Sequence, residues 1–136
     1  MNANILLVVP PHRRSGLLAL LEEKGLQIFP ASDCQEALQK LRGPTSYDLI
    51  LADAELPNGS WRDLLQFLLE SKNPCEMIVC SRCGDERLWA EVLQCGVYDL
   101  LVDPYDRQEV HRIIESALNS HHMRRFIRMG TVARAS

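Results

Sequence analysis

No stretch of the 136 residues approaches the ~20 consecutive apolar positions a membrane-spanning helix requires. No basic segment precedes the first apolar run, so no secretory leader is read, and the cytosol is the expected compartment. Acidic residues are missing beyond Glu115. The 18 acids up to that point stand against 11 Lys and Arg, a balance of −7, while Arg124, Arg125, Arg128 and Arg134 give the tail +4. Aromatics are scarce at 6%, and no aromatic cluster accompanies those arginines, so nucleic acid is not an expected partner. The tail reads instead as a basic helix end, with a DNA-associated regulator that uses this tail as the second alternative.

Cysteine is also short of what a disulfide framework needs. Five thiols, an odd number, fit a reducing compartment. Cys75, Cys80 and Cys83 have the spacing of one iron–sulfur pattern, yet Met77–Val79 between the first two reads as strand. That would separate Cys75 from Cys80 by roughly 16 Å, too far to share a cluster. Cys80 and Cys83 form a CxxC with no second sign of redox chemistry. His121 and His122 are adjacent on a helix and point different ways, so they are read as solvated and not as a metal pair.

What is present is a single domain's worth of chain, 46% hydrophobic and 24% charged, enough to bury a core without staples. Its centre is Tyr47-Asp-Leu-Ile-Leu-Ala-Asp53. The unbroken apolar run Leu49 to Ala52 marks a strand buried on both faces, the habit of parallel sheets. Asp53 ends the run, and Pro57-Asn58-Gly59 then turns the chain.

Asn4–Val9 reads as a first strand, and Leu17, Leu18, Leu20 and Leu21 give a helix stopped at Lys24-Gly25. Leu26–Phe29 is a short edge strand, and Ser32 with Gln35 has the form of a capping box. After the central strand, Ser60 with Asp63 opens a helix whose Leu64, Leu65, Phe67, Leu68 and Leu69 make a wide apolar stripe. Met77–Cys80 and Val97–Val102 are the fourth and fifth strands. Asp85 opens the helix between them, through Trp89, Val92 and Leu93, and Asp106 with Glu109 opens the last. Five strands alternating with five helices predict a flavodoxin-like, doubly wound α/β sheet in the order 2-1-3-4-5. The domain is expected over 1–119, with 120–136 as its extension. Ligand chemistry belongs at the switch point, where the first and third strands end.

At that crevice the chain resembles the receiver domain of two-component response regulators. The likeness rests on Tyr47–Asp53 with Pro57 four residues on, on Gly96-Val-Tyr-Asp-Leu-Leu, and on the x-Pro-Tyr-Asp turn at Asp103–Asp106. It implies that Asp53 falls on the phosphoacceptor and that the domain is a signalling module, not an enzyme. It further implies as partners a histidine kinase, an output domain or a second copy.

The family's chemistry asks for more than the acceptor. Mg²⁺ needs hard oxygen ligands, which the family draws partly from an acidic pair after the first strand. Those positions read Pro10 and Pro11 here. The hydroxyl at the end of the fourth strand reads Cys80, with Ser81 beside it. The lysine before the proline reads Asp103, and the switching aromatic reads Leu100. Losing a metal removes several kcal/mol of charge stabilisation. The expectation is therefore a pseudo-receiver without a magnesium-dependent phosphorylation cycle; Mg²⁺ would return only if Asp53 still accepts phosphate. His12, Arg13 and Arg14 lie where acids should be, so Arg13 or Arg14 could pair with Asp53 or Asp103. Glu55 with Asp53 and Asp103 is the weaker outline of a cation site. The resemblance also implies a partner face on the fourth helix, fifth strand and fifth helix, carrying Trp89, Glu91, Tyr98, Arg107, His111 and Arg112.

Overall fold

A computed structural model of the chain describes residues 3–71 and 75–135, with side chains as far as Met123. The strands are β1 (Asn4–Val8), β2 (Gln27–Ala31), β3 (Leu49–Asp53), β4 (Glu76–Ser81) and β5 (Asp99–Val102). All neighbours pair in parallel, in the order β2-β1-β3-β4-β5, as the alternating pattern predicts. Between them run α1 (Ser15–Glu22), α2 (Cys34–Arg42), α3 (Trp61–Glu70), α4 (Glu86–Gln94) and α5 (Arg107–Ala135).

The alternating side chains of the strands divide the core in two. Ile5, Leu7, Leu49, Leu51, Ile78 and Leu101 pack against Leu17 and Leu21 of α1 and Val110, Ile113, Ile114 and Leu118 of α5. Leu6, Val8, Ile50, Ala52, Val79 and Leu100 pack against α2, α3 and Val92 of α4. β3 is buried along its whole length. Its sequence, apolar in both phases, needs both layers.

Helix starts follow local chemistry. Ser60 and Asp63 form the expected reciprocal box, closed by Ser60 N to Asp63 Oδ2 at 3.0 Å. The predicted Ser32–Gln35 box is displaced by one residue. Asp33 is the cap, accepting from Glu36 N at 2.8 Å, and Ser32 N donates to Glu36 Oε2 at 2.8 Å. Ser and Asp are near-equal caps, and the carboxylates at 33 and 36 win together. The α3 stripe is narrower than predicted, because Leu69 is 72% exposed. On α4 only Val92 is buried, which leaves Leu93 and the edge of Trp89 at the surface.

The expected boundary at 119/120 falls inside α5, which is continuous for 29 residues, roughly 43 Å. His121 is not solvated as predicted. It is buried, with Nε2 3.4 Å from Asp48 Oδ1, while His122 is exposed. The two rings lie tilted against each other, centroids 5.7 Å apart, and that of His121 meets the body. The four tail arginines lie outside the described side chains. Among the described residues, no helix is long and apolar enough to cross a membrane.

Candidate functional site

Register brings the crevice together. Val8 pairs with Ala52 and Asp53 with Cys80, so the ends of β1, β3 and β4 stand side by side. Pro11–Arg13 form a single 3₁₀ turn after β1, with Pro11 at its start where no N–H is missed. That turn aims Arg13 back over the sheet. Arg13 Nη2 lies 2.6 Å from Asp53 Oδ1 and 2.6 Å from Oδ2. Asp53 Oδ1 also accepts the Glu55 N–H at 2.9 Å. Arg13 Nη1 reaches Glu55 Oε2 at 3.5 Å, and Arg82 Nη2 reaches the same oxygen at 3.6 Å. One arginine therefore ties the loops after β1 and β3, and Arg82 adds the loop after β4.

The Asp53–Arg13 pair is nearly dry, with side-chain exposures of 2% and 13%. Burial raises the Asp53 carboxyl above its ordinary value; the Glu55 N–H and then the Arg13 charge pull the other way and offset this in part. Buried pairs of this kind cost desolvation to form, yet removing one partner typically costs about 3–5 kcal/mol, because an unmatched charge stays behind.

The remaining predicted positions are placed differently. Arg14 does not join the acid. Its Nη2 donates to Val9 O at 3.0 Å and to Ser32 Oγ at 3.2 Å. Pro10 and Pro11, the positions read for the acidic pair, follow Val9, whose N–H still donates to Ala31 O of β2 at 3.1 Å; neither proline offers an oxygen side chain. β4 ends at Ser81, one residue beyond Cys80, so the end-of-strand hydroxyl is present after all. Ser81 Oγ accepts from Cys83 N at 3.0 Å and donates to Cys83 O at 3.0 Å. Asp103 is exposed at the rim, and Leu100 is core.

Cys80 shares the Asp53 side of the sheet. Burial, and then the nearby Asp53, push its thiol far up, while a hydrogen bond from the Tyr105 side chain pulls it down. Burial likewise raises the Tyr105 phenol. Tyr105 and Arg82 escaped the sequence reading of the site. The x-Pro-Tyr-Asp turn pointed at Tyr105, whereas nothing local marked Arg82. Among the described residues, no group of three or more His, Cys, Asp or Glu is placed to hold a metal ion.

The six residues of the expected partner face do not act alike. Arg62 of α3 grips Glu91 with two nitrogens, Nε lying 2.8 Å from Oε2. Arg107 Nε pairs with Glu23 Oε2, just past α1, at 2.9 Å, and His111 Nε2 meets Leu20 O at 2.9 Å. Tyr98 is half-buried against the α1–α5 core. Trp89 and Arg112 remain exposed.

Comparison with known proteins agrees with this architecture. The family model for the response regulator receiver domain matches residues 10–115. The transcriptional regulatory protein FixJ of Bradyrhizobium diazoefficiens is 27% identical over 105 residues, covering 77% of this chain and 51% of that protein. The response regulator PilR of Pseudomonas aeruginosa is 27% identical over 108 residues, 79% of this chain but 24% of its own length. Among solved structures, the signal receiver domain of an HD domain-containing protein from Pseudomonas fluorescens is 27% identical, with a TM-score of 0.79 over 90% of this chain and 99% of that one. A response regulator receiver domain from Clostridium thermocellum has a TM-score of 0.78 at 23% identity, over 89% and 98%. The chain belongs to the response regulator receiver domain family, the signalling module of two-component systems. It spans about half of FixJ and about a quarter of PilR.

Proposed function

We propose that this receiver is a protein–protein interaction module whose acceptor aspartate is held by an internal arginine in place of a magnesium-dependent phosphorylation cycle. The Arg13–Asp53 pair carries the reading. A guanidinium 2.6 Å from both carboxylate oxygens occupies the side from which a cation would approach. The donor set does not fit Mg²⁺, which wants about six oxygen ligands. Pro10 and Pro11 supply no carboxylate, and Asp53 and Glu55 are already engaged by arginines. With Asp103 where the family's lysine would be, a phosphoryl anion would also meet negative charge. The partner is a protein of the same signalling system, namely a histidine kinase, an output domain or a second copy, in the cytosol. Trp89 and Arg112 are the free residues through which such a partner could be met.

The second reading, a receiver still phosphorylated on Asp53, is favoured by one observation. Ser81 keeps a hydroxyl at the end of β4, beside the intact acceptor. Incubation with acetyl phosphate and Mg²⁺, followed by intact-mass and peptide mass spectrometry, separates the two. The first reading expects unmodified protein. A near-stoichiometric phosphoryl adduct mapped to Asp53 would establish the second.

A further inference from the structure

The opposite end of the sheet holds a second buried ion pair, remote from Asp53. His121 is 7% exposed, and its Nε2 lies 3.4 Å from Asp48 Oδ1. The other Asp48 oxygen accepts Asn4 N at 2.9 Å, so β1 fixes the carboxylate. Asn4 Nδ2 in turn donates to Ser46 O at 3.0 Å, tying down the loop before β3. The apolar residues that dock α5, from Val110 to Leu118, end one turn before His121. Met123, just past it, is 58% exposed, and the helix continues to Ala135. His121 is thus the last described contact between the body and a long helical extension.

We propose that Asp48 and His121 form a proton-controlled joint that pins or releases the distal part of α5. As an imidazolium, His121 makes a charge-assisted bond to a preset carboxylate; as a neutral ring, it keeps at most a weaker hydrogen bond. Histidine changes charge within about pH 5 to 8, so the joint operates near neutrality. Close to Asp48 lies Cys75, whose thiol feels both Asp48 and Glu76, the latter buried at the start of β4; the exposed His122 has its ring centroid 5.7 Å from that of His121. The Asp48 carboxylate, 3.4 Å away, favours the charged ring. Any segment that follows α5 would be held rigidly to the receiver at lower pH and loosely at higher pH.

Amide hydrogen exchange of residues 118–123, divided by intrinsic rates and followed over that pH range, tests the joint. In the wild-type chain the local opening constant should rise about tenfold with pH, the scale on which a charge-assisted hydrogen bond exceeds a neutral one. In His121→Gln and in Asp48→Asn it should be pH-independent, while exchange in β3 stays unchanged and reports an intact fold. A flat wild-type profile, or the same rise in His121→Gln, would overturn the proposal.

Discussion

Arg62 of α3 closes on Glu91 of α4 with two nitrogens, while its guanidinium carbon sits 4.7 Å from the centroid of the Trp61 ring. A residue expected to face a partner is thus committed to its own fold. On the other side of the sheet, Arg107 pairs with Glu23, just past α1, and His111 Nε2 meets the Leu20 carbonyl. Exposed pairs contribute little singly, about 0–1 kcal/mol, so their effect is chiefly on where the helices are held. Arg62→Ala should lower stability by less than about 1 kcal/mol yet loosen α4, seen as faster amide exchange at residues 88–93.

Breaking the crevice pair should cost much more. Arg13→Ala leaves the Asp53 charge buried alone, and stability should fall by about 3–5 kcal/mol in chemical denaturation. Replacing both residues with apolar ones, Arg13→Met with Asp53→Leu, should recover most of that loss. If the double variant is as unstable as the single one, the desolvation argument fails.

Acid should act mainly through carboxylates whose protonation is suppressed in the fold. The Asp33 carboxyl is held below its ordinary value by the Glu36 N–H and then Asn58, and that of Glu115 by Lys24. Each favours folding at pH values above the ordinary carboxylate range, and that contribution is lost as pH falls below it through the lowered folded value. Asp53 has the opposite sign: its raised value means its ionisation disfavours folding as pH rises. Thermal melts from neutrality down to about pH 3 should therefore show a declining midpoint, and Asp33→Asn should flatten the decline. An unchanged acid profile in that variant would contradict the assignment.

The thiols should separate into two reactivity classes. Cys83 and Cys95 are exposed. Burial pushes Cys75 to about 12 and raises Cys34 and Cys80 as well, which keeps their reactive thiolates scarce. Alkylation of the native protein, mapped by peptide mass, should label 83 and 95 first and the other three only on unfolding.

Gly59 has φ +141°, and a Cβ there would stand 2.6 Å from Cys34 Sγ and 3.1 Å from Asp63 Oδ2. Gly59→Ala should destabilise the fold by about 1–3 kcal/mol through strain and crowding of the α3 cap. A melting temperature equal to that of wild type would show that the turn relaxes freely.

Much of the fold was legible because it rests on periodicity. The apolar run Leu49–Ala52, the Ser60–Asp63 box and the Asp106 cap each state their own structure. Strand ends were less legible, since one residue of extension changes which side chain stands at the crevice. That is why the sequence reading put Cys80 at the end of β4, where Ser81 stands. The choice of Arg13 over Arg14 depends on the 3₁₀ turn, and Arg82 joins Glu55 across separate loops. His121 was read as solvated because helical spacing alone does not reveal Asp48 waiting just before β3.

The proposal that Arg13 takes the place of a metal ion is tested most directly by titrating the ¹⁵N-labelled protein with Mg²⁺ and following the amides of Ala54 and Glu55. With the guanidinium seated on Asp53, those resonances should stay fixed into the millimolar range. Saturable shifts confined to the crevice would show that the carboxylate leaves its arginine for a metal ion, contrary to the role assigned to Arg13.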